Sequence, residues 1–278
     1  MNLAGLRTFL AIVETGSLVR ASQRLNVTQS TVTARLKGLE DSLGQRLLHR
    51  EKSGVQLTSA GAKFKRYAEA INNLWRQARQ ETALPTGIET VCNLGCHMDL
   101  WPDLGRRFFN EVYRTQKTAA LSAWPGDKDD MTNWLASGLI DAALTYHPAT
   151  RDGQTTRPLR TERLILVSTR LGTSMRADPL YVYVDAGEEF GRRHVAAYSD
   201  AGTAKLSFGC AVWAVEHLME NHGSAYLPDH LAGPHLDSGK FYPIPDAPVF
   251  SRTAFLVTND AAVGNWGWLR EVIEALTG

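Results

Sequence analysis

The strongest constraint on this chain is one ordered string of helix, turn and wing signals between residues 17 and 61. Ser17 is a good helix cap, and the apolar residues behind it share one helical face. Asn26 and Val27 form a short turn, after which Thr28 caps a second helix. In that helix the apolar side chains recur every three to four residues, at Val32, Leu36, Leu39 and Leu43. The pattern predicts a winged helix-turn-helix within residues 1–60.

The second helix also carries polar side chains on the faces that its apolar repeat leaves free. Amide, hydroxyl and guanidinium groups in such positions match the edges of bases and the phosphates of a double helix. We therefore predict that it is the recognition helix and that double-stranded operator DNA is its partner. The candidate DNA-binding residues are Gln29, Ser30, Thr31, Thr33, Arg35 and Lys37 of that helix and Arg50 and Lys52 of the wing.

The charge is distributed as a DNA-binding module requires. Residues 1–84 hold 13 Lys and Arg against 6 Asp and Glu, whereas the rest of the chain holds 17 against 23. The formal net charge of +1 therefore hides a basic N-terminal module, as expected of a phosphate-binding surface. The alternative is that these charges only solvate a small helical domain.

A long amphipathic helix is predicted from residue 58 to about residue 81. Its apolar side chains recur at helical spacing, at Phe64, Tyr67, Ala68, Ile71, Leu74, Trp75 and Ala78. Such a stripe requires a partner surface, either the same helix of a second subunit or the protein's own body. Pairing would place two recognition helices for successive major grooves, about 34 Å apart. Pro85 and Gly87 then mark a hinge.

The length of 278 residues leaves about 190 for a separate body, in which strand and helix signals alternate. Strands are predicted at 91–94, 118–124, 140–146, 163–168, 181–184, 206–208, 224–227 and 254–258. The order β-α-β-α-β occurs twice and predicts an α/β fold with two similar halves. No segment reaches the roughly 18 apolar residues of a membrane span, and three cysteines form no disulfide framework, so we expect a cytoplasmic protein without membrane contact.

Ligands of parallel sheets settle outside the carboxyl ends of the strands, beside the N-termini of helices. We expect the segments at these ends to converge on one crevice between the two halves. Thiols, aromatic rings and imidazoles favour a ligand with an apolar or aromatic body and a polar end over a small dicarboxylate. The candidate ligand-binding residues are Cys96, His97, Met98, Asp127, Tyr146, His147, Asp185, Cys210, Ser224 and Tyr226.

Other chemistry in the body is less well supported. Cys92, Cys96 and His97 straddle a predicted strand and turn, which suits neither a metal knuckle nor a nucleophile with its base. Cys96 and Cys210 would form a redox pair only if both faced the crevice. Glu188 and its neighbour Glu189 diverge by about 100° on a helix, so they are poor partners for acid/base work. We predict no catalytic residues, metal or cofactor.

The chain resembles the LysR-type transcriptional regulators. The resemblance rests on strings in the family's order and spacing, namely Leu6 to Val13 with Gly16-Ser17-Leu18, Gln29-Ser30, Val32-Thr33, Leu39-Glu40, Leu43-Gly44, and Leu57-Thr58 with Ala60-Gly61. It implies a periplasmic-binding-protein-like body with two crossover strands, a small-molecule effector, a homodimer or homotetramer, and RNA polymerase as a further partner.

The implied domains are a DNA-binding domain at 1–60, a linker helix and hinge at 58–87, and an effector domain at 88–278. Within the last, subdomain I spans about 88–160 and 247–278, and subdomain II about 161–246. Two alternatives remain: an α/β small-molecule enzyme with an appended helix-turn-helix, which would need a nucleophile, base and oxyanion donor converging in the cleft, and an architectural DNA-binding protein with a body that binds nothing.

Overall fold

The structure is a computed structural model that describes residues 3–51, 54–84, 86–149, 151–173, 178–199, 204–264 and 266–277. The chain divides into two compact units. The N-terminal unit comprises Met1–Thr86 with Ala136–Leu139, and the C-terminal unit comprises Gly87–Leu135 with Ile140–Gly278. None of the helices that the structure describes has the length and apolar character needed to cross a bilayer.

The N-terminal unit contains the predicted helices and wing. Its elements are α1 (Leu3–Thr15), α2 (Leu18–Arg24), α3 (Gln29–Leu43), β1 (Leu48–Glu51), β2 (Gly54–Leu57) and α4 (Ser59–Thr82). The Ser17 hydroxyl accepts a hydrogen bond from the Arg20 amide at 3.4 Å, and the Thr28 hydroxyl accepts one from the Thr31 amide at 3.2 Å. Both predicted N-caps are therefore present, and each satisfies a backbone amide that has no partner within its helix.

Three helices and the wing enclose one small core in this unit. Its fully buried side chains include Leu6, Phe9 and Ile12 of α1 and Val32 of α3. The first half of α4 packs on the same core, because Ala68 is fully buried and the Phe64 ring lies 5.4 Å from the Phe9 ring. Helix α3, the predicted recognition helix, thus packs against α1.

The C-terminal unit is built on one mixed sheet. Its described strands are β3 (Thr90–Cys96), β4 (Ala119–Pro125), β5 (Ala142–Thr145), β6 (Gln154–Ser168), β7 (Tyr181–Val184), β8 (Leu206–Phe208), β9 (Ser224–Pro228), β10 (Tyr242–Pro243) and β11 (Phe250–Asn259). The order across the sheet is β4-β3-β5-β11-β6-β9-β7-β8, with β10 paired to β6.

The two halves of this sheet have the same plan. In the first half β3 lies between β4 and β5 and is parallel to both, and in the second half β7 lies between β8 and β9 and is parallel to both. One antiparallel strand flanks each half, β11 beside β5 and β6 beside β9. The eight strands predicted from sequence are all present, and the α/β class is confirmed.

Strands β6 and β11 run antiparallel to each other and belong to both halves. The start of β6 pairs with the end of β11 beside the first half, and residues 164–168 of β6 pair with β9 in the second half. The two crossover strands implied by the family resemblance are therefore present. β6 begins at Gln154, about ten residues before the predicted strand, because its first part is half-exposed and lacks a continuous apolar run.

Helices cover both halves of the sheet. They are α5 (Arg106–Thr115), α6 (Lys128–Ala136), α7 (Glu188–Ala197), α8 (Ala211–Asn221), α9 (Asp229–Asp237), α10 (Asp260–Val263) and α11 (Leu269–Thr277). The helical segment after β3 is broken into a 3₁₀ turn at Met98–Leu100, a π turn at Trp101–Gly105 and then α5. Pro102 lies in the π turn, where its ring and missing amide prevent regular α-helical hydrogen bonding.

Candidate functional site

The outer face of α3 carries most of the polar side chains predicted to contact DNA. Gln29, Ser30, Thr33 and Lys37 are exposed, whereas Val32 is fully buried. The helix therefore has one face in the core and an opposite face that presents an amide, two hydroxyls and an ammonium group to solvent.

Thr31 and Arg35 are half-buried at the sides of α3. The Thr31 and Ser30 hydroxyls share hydrogen bonds with the Thr28 hydroxyl at 2.8 and 2.9 Å, so all three belong to the cap of the helix. Arg35 forms no ion pair or hydrogen bond with any described residue, which leaves its guanidinium available to an external partner.

Glu40 and Thr58 fix the wing against α3. The Glu40 Oε1 accepts hydrogen bonds from the amides of Leu47 at 2.7 Å and Leu48 at 3.2 Å. The Thr58 hydroxyl donates to the Arg46 carbonyl at 2.7 Å and accepts from the Gly61 amide at 2.9 Å. A side chain at Gly61 would bring its Cβ to 2.0 Å from the Leu47 carbonyl oxygen, so only glycine permits this contact.

The wing is a short antiparallel hairpin in which Arg50 pairs with Val55. Lys52, the other predicted wing contact, lies outside the described residues. A groove of 880 Å³ lies between α3 and the wing, lined by Leu18, Thr33, Leu36, Lys37, Glu40, Asp41, Gly44, Gln45, Arg46, Leu48, His49 and Val55.

The apolar stripe of α4 is partly packed on the N-terminal unit and partly exposed to solvent. Phe64 and Ile71 pack on the core of the N-terminal unit. Tyr67, Leu74 and Trp75 are 55%, 54% and 44% exposed. One edge of the stripe therefore packs on the protein itself, as one of the two expectations had it, and the other edge faces solvent, so pairing with a second subunit stays a prediction.

A buried charge cluster joins the two halves of the C-terminal unit. The Arg252 guanidinium of β11 donates to Asp99 at 3.0 Å, to Glu162 at 3.4 Å and to the Tyr146 hydroxyl at 2.8 Å. Its Cζ also lies 3.6 Å from the centre of the Tyr146 ring. Asp99 and Glu162 have fully buried side chains, so their charges are compensated inside the protein rather than by water.

Further side chains close this cluster. Arg160 donates to Glu162 at 3.0 Å and to Asp103. The Tyr146 hydroxyl donates to Glu162 at 2.8 Å. On the other side the His230 Nδ1 lies 3.3 Å from a Glu162 oxygen.

Asp99 links the halves directly. It follows β3 in the first half, yet its Oδ1 accepts hydrogen bonds from the amides of Ala211 at 2.7 Å and Val212 at 3.3 Å, at the N-terminus of α8 in the second half. The His230 ring of α9 bonds the Asp99 backbone carbonyl at 2.9 Å. A carboxylate of the protein itself therefore occupies the position where a helix N-terminus would receive an anion.

Burial shifts the pKa values of two side chains in the cleft, His97 and Tyr146. It lowers the pKa of His97 below its ordinary value, against the opposing charge of Asp99, so the ring is neutral near pH 7. It also raises the pKa of Tyr146 well above its ordinary value, so this hydroxyl keeps its proton and donates to Glu162.

A separate apolar pocket of 300 Å³ lies at the carboxyl ends of β3 and β4. Its lining residues are Cys96, Met98, Trp101, Pro102, Ala123, Trp124, Pro125 and Val212. Val212 belongs to the second half and the others to the first, so this pocket, like the charge cluster, lies between the halves.

Residues 3–62 match the family model described as bacterial regulatory helix-turn-helix protein, lysR family. The HTH-type transcriptional regulator HdfR of Salmonella newport is 24% identical over 260 residues, which are 92% of this chain and 92% of that protein. This chain carries a lysR-family helix-turn-helix and is similar along most of its length to a LysR-type transcriptional regulator.

Solved LysR-type structures share its fold along the whole chain. DarR of Vibrio fischeri, solved in complex with DNA, has a TM-score of 0.61 at 19% identity and covers 100% of this chain and 99% of its own. LysG of Corynebacterium glutamicum, solved with bound effector Arg, has a TM-score of 0.56 at 21% identity over 99% and 98%. These relatives are transcriptional regulators rather than enzymes, and residues 3–62 give this chain the same kind of DNA-binding domain.

Several of the residues predicted to bind an effector lie at the strand ends where they were expected. Cys96 and Met98 line the apolar pocket, and the His97 and Tyr146 rings lie 5.0 Å apart, with Tyr146 in the charge cluster. His147 follows Tyr146 and is half-buried.

Three others serve the starts of helices or their flanking loops. Asp127 is exposed and accepts from the amides of Asp129 and Asp130 at the start of α6. Asp185 is exposed and accepts from the Gly187 amide at 2.9 Å, just before α7. Cys210 is buried at the N-cap of α8.

Ser224 and Tyr226 do not line a crevice, which corrects their expected position. Ser224 is fully buried and donates to Asp178 at 2.6 Å, and the Tyr226 hydroxyl bonds Tyr198 at 2.7 Å inside an aromatic core. Ser224 lies at the amino end of β9, whereas the carboxyl end of this strand leads to His230. His230 was not predicted from the sequence as a residue of the cleft. Pro228, which ends the strand, was the available sign that the residues after it lie at the carboxyl end.

The cysteines bear on two alternatives, a metal site and a redox pair. Among the described residues no group of three His, Cys, Asp or Glu side chains could hold a metal ion. Cys92, Cys96 and Cys210 are free and buried, and burial raises the pKa of Cys96 to about 12 and that of Cys210 above its ordinary value. Near pH 7 these thiols are protonated and therefore poor redox nucleophiles.

Proposed function

We propose that this LysR-type regulator binds operator DNA as a homodimer or homotetramer and that a small molecule held between the halves of its C-terminal unit controls operator binding or transcriptional output. The observation that carries the proposal is the contact between halves at Asp99, which accepts two amides of α8 and one guanidinium group of β11. A ligand that alters this contact changes the relative free energies of two arrangements of the halves.

The DNA-contacting surface in this proposal consists of the outer face of α3 and the wing. The exposed Gln29, Ser30, Thr33 and Lys37 contact base edges and phosphates, Thr31 supports the cap, and Arg50 and Lys52 reach the backbone beside the groove. Arg35 is the strongest candidate for a guanine contact, because a guanidinium group forks onto the O6 and N7 of that base.

Replacing Arg35 with Ala tests this surface. We expect operator binding to weaken by about 1–3 kcal/mol, with relaxed preference at one base, because a bidentate contact is lost. Fluorescence anisotropy over a range of salt concentrations measures both effects. Arg114→Ala in α5 is the matched control, since it removes the same charge from an exposed site in the other unit. Equal affinity and salt slope for Arg35→Ala and the control would refute the docking.

The exposed part of the α4 stripe is the proposed dimer contact. Tyr67, Leu74 and Trp75 supply apolar area that a second copy of the helix would cover, and two copies would set the recognition helices one helical turn of DNA apart. The proposed domain limits follow from this arrangement: a DNA-binding domain at 1–60, a linker at 58–87 and an effector domain at 88–278. Subdomain I of the effector domain then spans about 88–160 and 247–278, and subdomain II about 161–246.

If an effector controls this protein, adding the effector should change its melting temperature and its operator affinity, whereas a C-terminal unit that binds nothing would show neither change. A ligand bound only to the folded protein at one hundred times its dissociation constant stabilises it by about 2.7 kcal/mol. Melting of the full chain and anisotropy of the DNA beside its own gene, each with and without a metabolite extract, therefore test the proposal together. A melting shift with altered operator affinity supports it. No change in either measurement would favour an architectural role. The protein would act in the cytoplasm and transmit its state through RNA polymerase.

A further inference from the structure

The apolar pocket between the halves has the size and walls of a small-molecule site. Its volume of 300 Å³ lies at the lower end of the usual range for such sites, which suits one or two fused rings. The described residues that line it are apolar or aromatic apart from one thiol, and none of them carries a charge. That thiol, Cys96, donates to the His97 carbonyl at 3.4 Å.

Two tryptophans form exposed walls of this pocket. Trp101 is 39% exposed and Trp124 is 45% exposed, although indole rings usually bury most of their area. Each ring is held in place by a neighbour. The Trp124 Nε1 donates to the Ser122 hydroxyl at 3.0 Å, and the Trp101 ring packs edge-on against Phe109 with centroids 6.0 Å apart. Rigid aromatic walls of this kind bind planar ligands with little loss of side-chain entropy.

The N-terminus of α8 beside this pocket could bind an anion, but the Asp99 carboxylate already occupies that position. Asp99 follows the lining residue Met98, and its carboxylate accepts the amide of Val212, another lining residue. The nearby cations, Arg252 and Arg160, are engaged with Asp99, Glu162 and Asp103. A ligand carboxylate that entered the pocket would lose its hydration and would lie near the negative charge of Asp99. The α8 amides and the guanidinium groups nearby already bond carboxylates of the described residues, so they would not compensate this loss.

We propose that this pocket binds an uncharged aromatic molecule of one or two rings and excludes ligands that carry a carboxylate. The inference rests on the proposed function, because it names the chemical class of the effector. The groups of the charge cluster bond one another rather than the effector, and recognition of the effector takes place through stacking and apolar contact with Trp101 and Trp124.

Calorimetric titration of the full-length protein with indole, benzamide and benzoate tests this selectivity. Benzamide and benzoate are matched in size and differ in charge. We expect indole and benzamide to bind with dissociation constants lower by about tenfold or more than that of benzoate, since an uncompensated charge is costly to bury. Trp124→Ala should weaken the binding of both neutral probes about tenfold, as the stacking surface is lost. Trp213→Ala, on α8 outside the pocket and 51% exposed, is the matched control and should leave their binding unchanged.

Benzoate binding as tight as benzamide, no binding of either neutral probe up to its solubility, or equal effects of Trp124→Ala and Trp213→Ala would each overturn the inference. Asp99→Asn provides a second measurement, because it keeps an acceptor at α8 and removes the resident negative charge. It should shift selectivity toward benzoate. The operator response to metabolite extract is measured separately. Probe binding without any operator response would refute the proposed function alone, and an operator response without probe binding would refute this pocket alone.

Discussion

Replacing Arg252 with Met removes the cation at the centre of the buried cluster while nearly conserving side-chain length. Asp99 and Glu162 remain fully buried, and each loses a charge-assisted hydrogen bond. Asp99 keeps the two α8 amides, and Glu162 keeps Arg160 and the Tyr146 hydroxyl, so the loss is partial. Breaking a buried ion pair on one side costs about 3–5 kcal/mol. We expect Arg252→Met to fall in this range.

Thermal unfolding followed by near-ultraviolet circular dichroism measures the effect. For a unit of this size each kcal/mol shifts the melting temperature by about 2–4 °C, so we expect a decrease of at least roughly 6 °C. Arg163→Met is the matched control, because Arg163 is exposed on β6 and loses only a surface charge. The double variant with Asp99→Asn should cost less than the sum of the two single variants, since it leaves one fewer charge without a partner. A melting temperature for Arg252→Met within about 1 °C of that for Arg163→Met would refute the reasoning, as it would imply that the cluster contributes under about 0.5 kcal/mol.

Three further outcomes follow from local geometry. Gly61→Ala should destabilise the N-terminal unit by about 1–3 kcal/mol in urea unfolding, because its Cβ meets the wing backbone, whereas Gly38→Ala, whose Cβ meets open space, should stabilise it by about 0.4–1 kcal/mol. The opposite ranking would contradict the close contact between Gly61 and the wing backbone. Leu74→Asp should give a folded monomer in sedimentation that has lost operator binding. Ile71→Asp should instead unfold, because it places a carboxylate against the core. An intact dimer of Leu74→Asp would exclude the proposed dimer contact of α4. Burial lowers the pKa of His97 in the folded protein, so the unfolded chain binds more protons below pH 6.5. The free energy of unfolding should therefore decline as the pH falls through that value. His97→Gln should flatten this decline, and an unchanged slope would show that His97 is not its source.

Periodicity and capping predicted the local elements well. Ser17 and Thr28 cap the helices as expected, and the strand limits of β7 and β8 match the prediction to the residue. These features depend on interactions over a few residues, which a single sequence displays. The family resemblance supplied the return of β11 to the first half, which no local pattern indicates.

The charge cluster was not predictable in the same way. Asp99, Glu162 and Arg252 are separated by 63 and 90 residues in the chain. The pairing of β6 with β11 places Arg252 opposite Glu162, and the turn after β3 brings Asp99 to Arg252. Charged residues inside two otherwise strand-like segments were the available hint. Tyr226 was placed wrongly because β9 is buried throughout, so its sequence has no alternation that would indicate which side chains face a cleft.

Footprinting of the purified full-length protein on the DNA beside its own gene, with and without metabolite extract, tests the central claim most directly. We expect two protected half-sites centred about one helical turn apart, as paired recognition helices require. Extract should change the extent or affinity of protection, and Arg35→Ala should weaken protection at the same protein concentration. A single half-site, or protection that no extract alters, would contradict the account of a ligand-controlled dimer on DNA.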